Sequence, residues 1–272
     1  MNARAGARAE VAGLGQRVVT ALVLIPLALG SVIAGGRLYA GVIAAMTVLL
    51  VFEWTRMVDG AELRRGFYVL SGTAAVASYL AAGGMPLPAL AVTFAGGAVA
   101  TILEWPKPNP QSWPAVGALY IIVPAVAALW LRRDAPSGDF LTLLLFISVW
   151  AADSAAYAVG KAVGGPKLVP RISPNKTWAG AFGGVCGAAL AALALALLMR
   201  PAEAGGAVLL GGIVGVAAVL GDLTESMFKR RYGIKDSGGA FPGHGGVLDR
   251  LDGFLFAVLA LAAVVLLLQA VA

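Results

Sequence analysis

Most side chains that could do chemistry in this 272-residue chain lie within residues 221–253. Asp222 and Glu225 are three residues apart, and Asp249 and Asp252 repeat that spacing just before an apolar C-terminal run. Residues three apart on a helix share one face, so two helix ends that each carry paired carboxylates can converge on a hard divalent cation. Mg²⁺ prefers one or two carboxylates together with phosphate oxygens. The spacing therefore predicts a metal site for a phosphorylated substrate.

Cations and glycines lie between these two pairs of carboxylates. The cations are Lys229, Arg230, Arg231 and Lys235, and they could neutralise phosphates and a leaving pyrophosphate. The glycines surround His244, the only histidine, and would let the backbone approach a ligand closely or adopt a positive φ. Helix caps and surface ion pairs are the alternative for any one of these residues. We favour a site because the polar groups cluster.

A second polar segment covers residues 160–180, with four cations, three prolines, Ser173, Asn175 and Thr177. Hydroxyl, amide and ammonium groups suit an anionic ligand, for which polyphosphate is the obvious candidate. The alternative is a basic loop that lies on anionic lipid headgroups. The segment has no G-x-x-x-x-G-K-[ST] sequence and is therefore not a P-loop.

Composition predicts that the elements carrying these groups span a membrane. The chain is 60% hydrophobic and 12% charged, against about a quarter charged in soluble domains. Apolar runs long enough to cross a bilayer occur at 18–35, 39–55, 66–82, 86–103, 114–131, 139–159, 178–199, 206–222 and 251–271. We interpret the first as an uncleaved helix and not as a signal peptide. A single cysteine and a single histidine exclude a disulfide framework and most zinc sites.

Charge distribution sets the predicted orientation. With a cytoplasmic N-terminus and nine helices, the outer segments hold four of the 20 Lys and Arg residues, namely Arg37, Arg132, Arg133 and Arg200. This bias is what the positive-inside rule requires. The predicted fold is therefore all-α and polytopic, with about nine transmembrane helices, the N-terminus inside and the C-terminus outside.

The two halves of the chain differ in character. Residues 1–135 indicate a transmembrane scaffold, in which 53–65 (EWTRMVDGAELRR) is predicted to be a solvated connector and 104–113 (EWPKPNPQSW) a proline-broken turn. Residues 136–272 indicate a catalytic region with cytoplasmic loops at 160–177 and 223–250.

Within this second half, Asp153 lies near the cytoplasmic end of the sixth span. Acidic groups at membrane depth usually face a polar cavity or a partner, although hydration at the interface is the alternative. Pairs of glycines four residues apart predict close helix packing: Gly180 and Gly184, Gly183 and Gly187, and Gly211 and Gly215. Together these features indicate a membrane enzyme that handles a phosphorylated lipid and a nucleotide with Mg²⁺.

Residues 226–252, SMFKRRYGIKDSGGAFPGHGGVLDRLD, resemble the signature of the phosphatidate cytidylyltransferases, also called CDP-diacylglycerol synthases. The fixed positions are filled by Ser226, Lys229, Arg230, Lys235, Asp236, His244, Gly245, Gly246, Asp249, Arg250 and Asp252. The upstream segment from Asp153 is also similar to the family. It departs at Asn175, where family members usually have Lys, and at Ala179, where they usually have Glu.

The resemblance implies that CTP and phosphatidate give CDP-diacylglycerol and pyrophosphate at the cytoplasmic face of the inner (plasma) membrane. It also implies Mg²⁺ in a paired-metal centre, whose second cation could be K⁺. The metal ligands would be Asp222 and Asp249, followed by Asp252 and Glu225. The catalytic set would comprise Asp222, Lys229, Arg230, Lys235 and Asp249, and the substrate-binding set Ser173, Lys176, Thr177, Asp236, His244, Gly245, Gly246 and Arg250. Because a phosphate monoester is already ionised at pH 7, no general base is needed, and His244 is expected to be positional.

Three alternatives remain open from the sequence. A CTP-dependent kinase of polyprenols or other lipid alcohols would have a similar build and would need a base for the hydroxyl. A transporter would show broken helices in both halves, whereas the polar groups here crowd into one half. A catalytically inactive scaffold conflicts with the retained carboxylates and cations. We expect a lipid bilayer and no nucleic acid as partner, and a homodimer is one compatible assembly.

Overall fold

The computed structural model describes residues 22–60, 63–104, 113–238 and 245–271. These ranges contain ten α-helices: α1 (Leu22–Ala34), α2 (Gly36–Asp59), α3 (Arg65–Ala82), α4 (Pro86–Glu104), α5 (Trp113–Gly117), α6 (Val123–Arg133), α7 (Gly138–Val163), α8 (Trp178–Met199), α9 (Ala204–Arg231) and α10 (Leu248–Val271). A π-helical turn, Ala118–Ile122, joins α5 to α6, and a 3₁₀ turn, Pro201–Glu203, precedes α9. The all-α prediction is confirmed, apart from one small hairpin between α7 and α8.

Seven of the helical runs are long and apolar enough to cross a membrane: Gly36–Asp59, Pro86–Glu104, Pro114–Arg133, Gly138–Val163, Trp178–Met199, Pro201–Arg231 and Leu248–Val271. Helices α1 and α3 occupy the other two predicted spans. Of these, α1 is shorter, and the Arg, Ser, Thr and Tyr residues of α3 make it less apolar. Large apolar side chains such as Leu198 and Leu267 point outward, as expected for surfaces in contact with lipid. The protein is thus a multi-pass membrane protein.

Helix α8 packs closely between α7 and α9, and glycines make this possible. A methyl group added at Gly187 would lie 2.5 Å from the Cβ of Ala155 on α7. One added at Gly211 on α9 would lie 2.5 Å from the Cβ of Ala192 on α8. The predicted packing role of the paired glycines is confirmed, because the helix backbones meet where side chains are absent.

The helices extend further than the sequence indicated. Helix α7 continues to Val163 and α9 to Arg231, so the predicted loops 160–177 and 223–250 begin inside helices. The last turn of α9 carries Lys229, Arg230 and Arg231, and cations there interact favourably with the helix dipole. Strands β1 (Lys167–Val169) and β2 (Ser173–Thr177) form an antiparallel hairpin before α8. Both helices therefore include charged residues that the sequence analysis had placed in loops.

The predicted solvated connector at 53–65 is wrong in its first half. Helix α2 continues to Asp59, and within it Glu53 and Trp54 are 2% and 1% exposed. The ring of Trp54 lies 5.0 Å from that of Phe228 on α9, so this helix end packs against protein and not water. Most of the predicted turn at 104–113, namely residues 105–112, lies outside the described residues.

Candidate active site

A cavity of about 610 Å³ lies where the hairpin meets the adjacent ends of α7, α9 and α10 and the start of α8. Its polar lining comes from the hairpin and from three of these helices: Asp153, Tyr157 and Lys161 of α7; Asn175, Lys176 and Thr177 of β2; Asp222 and Lys229 of α9; Asp249, Arg250 and Asp252 of α10. The prediction that Asp153 faces a polar cavity is confirmed. Lys161 is one of the four cations of the predicted polar segment at 160–180, whereas Tyr157 is a lining residue for which the sequence had predicted no role.

Three carboxylates converge beside this cavity. Asp222, Glu225 and Asp252 each bring an oxygen atom within 4.8 Å of the others. Their approach depends on a close crossing of α9 and α10, because a methyl group at Gly221 would lie 3.1 Å from the Cα of Gly253 and collide with the carbonyl oxygen of Asp252. The expected convergence of the two helix ends is confirmed. We call Asp222, Glu225 and Asp252 the carboxylate triplet.

The carboxylate triplet fits a divalent cation. Glu225 is fully buried, and its Oε2 lies 2.5 Å from the Nζ of Lys229. No donor among the described residues reaches its Oε1 by hydrogen bond. A buried carboxylate oxygen without a partner is costly, whereas a hard cation held by several carboxylate oxygens would satisfy it. The donor set is therefore of the type that Mg²⁺ uses.

Asp249 lines the cavity but lies outside the carboxylate triplet. Its Oδ1 accepts a 2.8 Å hydrogen bond from the Nζ of Lys229, and its Oδ2 accepts bonds from the backbone N–H groups of Ser237 and Gly246, at 3.1 and 3.0 Å. Lys229 therefore bridges Asp249 and Glu225. This arrangement makes Asp249 an anchor for the segment between α9 and α10.

Only some of the predicted phosphate-binding cations lie in the cavity beside the carboxylate triplet. Lys176 forms an ion pair with Asp222, and Lys161, Lys229 and Arg250 also line the cavity. Of the other predicted phosphate-binding cations, Arg230 donates through Nε to the carbonyl oxygen of Ile172 in the hairpin, and Lys235 is exposed outside the cavity. The described cations that line it thus come from α7, β2, α9 and α10.

The remaining predicted substrate-binding residues have different positions. Thr177 lines the cavity and also caps α8, accepting a 3.1 Å hydrogen bond from the N–H of Gly180. Ser173 begins β2 and is not among the lining residues, while Asp236 lines a separate cavity of about 420 Å³. His244 lies outside the described residues.

Glycines 245 and 246 pack against acidic side chains of the protein itself. Gly245 has φ +81°, which favours glycine, and an added Cβ would lie 3.2 Å from Oδ2 of Asp249. A Cβ at Gly246 would lie 2.6 Å from Oε2 of Glu53. Neither glycine lines the main cavity.

Sequence reasoning missed Glu53, which approaches the site from the N-terminal half. Its carboxylate accepts hydrogen bonds from the backbone N–H groups of Val247 and Leu248, at 2.9 and 2.8 Å, and from the hydroxyl of Ser237, at 3.2 Å. The signal was present, because Glu53 is an acidic residue inside an apolar span and the rule applied to Asp153 applies equally to it.

The chain belongs to the cytidylyltransferase family. Residues 15–268 match that family, so the match includes the cavity and nearly all of the helical scaffold. The fold and site thus define a membrane-embedded nucleotidyltransferase.

Its relatives carry a more particular name. It is 39% identical over 275 residues to a phosphatidate cytidylyltransferase of Pseudomonas aeruginosa, covering 92% of this chain and 96% of that protein. It is 37% identical over 254 residues to one of Brucella suis, covering 91% of each chain, and 35% identical over 284 residues to one of Haemophilus influenzae, covering 90% and 96%.

Proposed function

We propose that this protein transfers the cytidylyl group of CTP to phosphatidate, which gives CDP-diacylglycerol and pyrophosphate. The observation that carries this proposal is the similarity to phosphatidate cytidylyltransferases over nine-tenths of both chains. The site supports it, because a cavity lined by both carboxylates and cations suits a reaction between two phosphate-bearing substrates.

The transfer is an in-line displacement at phosphorus. An oxygen of the phosphatidate phosphate forms a bond to the α-phosphorus of CTP, and the bond from that phosphorus to the bridging oxygen of the β-phosphate breaks. The electron pair leaves with pyrophosphate. No proton has to be removed from the attacking phosphate, because a phosphate monoester is ionised at pH 7. The site therefore needs positioning and charge neutralisation more than it needs a general base.

Different residues that line the cavity would neutralise the phosphates and hold the cations. We assign Lys161, Lys176, Lys229 and Arg250 to neutralising the phosphates of the two substrates. Mg²⁺ bound by the carboxylate triplet would supply further neutralisation at the reacting phosphates. Asp153, on α7, offers a carboxylate for a second cation such as K⁺. Lys176 and Lys229 already pair with members of the triplet, so they are positioned to exchange a carboxylate for a phosphate oxygen.

Isotope position tests the reaction and separates it from a CTP-dependent lipid kinase. Purified protein in lipid nanodiscs is given Mg²⁺, CTP labelled in the α- or the γ-phosphate, and either phosphatidate or a polyprenol. We expect α-label in the lipid product and γ-label in pyrophosphate, because the α–β bond breaks. A γ-label that enters a lipid alcohol, or unchanged substrates in every arm, would overturn the proposal.

We further propose nine membrane spans with the site on the cytoplasmic side. The Lys and Arg distribution supports this orientation, and Arg200 lies at the other end of α8 from the cavity, bonded to Ser137 and Glu203. A reporter enzyme that works only outside the cytoplasm is expected to be active when fused to the C-terminus. A second reporter, which works only inside the cytoplasm, should be inactive at the same position. Activity of the second reporter and not of the first would contradict the orientation.

A further inference from the structure

Glu53 is buried where the scaffold half of the chain meets the segment between α9 and α10. Among the described residues it accepts hydrogen bonds from Ser237 on the α9 side of that segment, and from Val247 and the first residue of α10, Leu248, on the other side. The N–H groups at the start of a helix have no partner within the helix, and the helix dipole favours a negative charge there. Glu53 thus caps α10 from a different helix.

The backbone beside Glu53 leaves room for this contact. A Cβ added at Gly238 would lie 2.7 Å from its Oε1, and one at Gly246 would lie 2.6 Å from its Oε2. A side chain at either position would displace the carboxylate. The approach of a side chain from the scaffold half therefore explains Gly238 and Gly246.

The contact continues directly to the cavity. Ser237, whose hydroxyl binds Glu53, donates its backbone N–H to Asp249. Asp249 in turn holds Lys229, which pairs with Glu225 of the carboxylate triplet. One chain of hydrogen bonds and ion pairs thus leads from α2 through the segment to the triplet.

We infer that Glu53 is a positioning residue for the reaction, one that fixes the start of α10 and thereby aligns Asp249 and Lys229 at the cavity. It does not line that cavity and is not expected to touch substrate. The expected effect of Glu53 on turnover rests on the proposed function. The anchoring of α10 by Glu53 rests on the hydrogen bonds alone.

Glu53→Gln tests the inference, with Glu104→Gln as its matched control. Glu104 is also a buried glutamate of the scaffold half that accepts a backbone N–H, from Gly66 at 3.0 Å, but it links α4 to α3. The measurements are hydrogen exchange of residues 245–251 without substrate or metal, the thermal unfolding midpoint, and kcat at a temperature where every variant is folded.

In the Glu53→Gln variant we expect the amide hydrogens of Val247 and Leu248 to exchange about ten-fold faster than in the wild type. We also expect kcat to fall about 10- to 100-fold, because a small misplacement of catalytic groups costs that much. Glu104→Gln is expected to keep both within about two-fold even if its unfolding midpoint falls equally. If Glu53→Gln does not fold, Glu53→Asp replaces it. Aspartate keeps the charge, but its shorter side chain moves the carboxylate away from the start of α10, and we expect amide exchange and kcat between those of the wild type and those expected for Glu53→Gln.

Two results would overturn the inference: unchanged exchange at 245–251, or faster exchange with an unchanged kcat. A wild-type protein without cytidylyl transfer would instead overturn the proposed function. In that case the exchange measurement still decides whether Glu53 anchors α10.

Discussion

Asp252→Asn is expected to lower kcat by about 10²- to 10³-fold, the cost typical of removing one preorganised electrostatic contact from an active site. The change keeps the volume of the side chain and removes one of the three converging carboxylates. It should also weaken Mn²⁺ binding, measured by electron paramagnetic resonance without substrates, because the carboxylate triplet would lose a charged ligand. The kinetic and binding losses should occur together.

The matched control is Asp139→Asn. Asp139 lies in the first turn of α7, at the end opposite to the cavity, and its side chain is 58% exposed beside Arg200. This variant should keep wild-type turnover and Mn²⁺ affinity. If Asp252→Asn binds Mn²⁺ as tightly as wild type does, the assignment of the triplet as the metal site is wrong.

Gly221→Ala is expected to reduce kcat/KM by about 10²-fold, since a shift of about 1 Å in reacting groups costs that much. An added methyl group would collide with the carbonyl oxygen of Asp252 and force α9 and α10 apart where Asp222 and Asp252 meet. Asp222 and Asp252 themselves are unchanged, so a loss would show that their spacing matters. Steady-state kinetics and an unfolding midpoint, measured on the same preparation, check this prediction.

Gly212→Ala is the control on the same helix, since no described atom outside the neighbouring backbone of α9 lies within 4 Å of the methyl group it would add. It should leave kinetics unchanged and can raise stability slightly through helix propensity. Gly253→Ala faces milder contacts of 3.3 to 3.4 Å with Ala218 and should fall between the two. Equal activity of the Gly221 and Gly212 variants would contradict the role of the close crossing.

Residue spacing was enough to predict that acidic side chains of α9 and α10 meet. The i, i+3 pairs of acidic residues on two separate helix ends predicted that carboxylates would converge, and Asp222, Glu225 and Asp252 do so. Spacing could not tell which carboxylate of α10 joins that cluster. The choice depends on the rotation of α10, which the contacts of Asp249 with Ser237 and Gly246 help to fix.

The position of Glu53 inside an apolar span was a local signal, but the partners of Glu53 could not be predicted from local patterns. Glu53 lies more than 180 residues from its partners, and only the tertiary packing of α2 against the segment between α9 and α10 brings them together. Local signals around residues 53–65, with several charges and a glycine, are typical of a connector. The burial of Trp54 against Phe228 outweighs those signals.

The central claim is that the reaction occurs at the carboxylate triplet beside the cation-lined cavity. Anomalous X-ray diffraction from crystals grown with Mn²⁺ and a CTP analogue that cannot be cleaved between its α- and β-phosphates tests this claim most directly. We predict an anomalous peak at bonding distance from Asp222, Glu225 and Asp252, with the analogue's phosphates beside Lys176 and Lys229. A peak located elsewhere, or an analogue bound outside the cavity, would contradict the account.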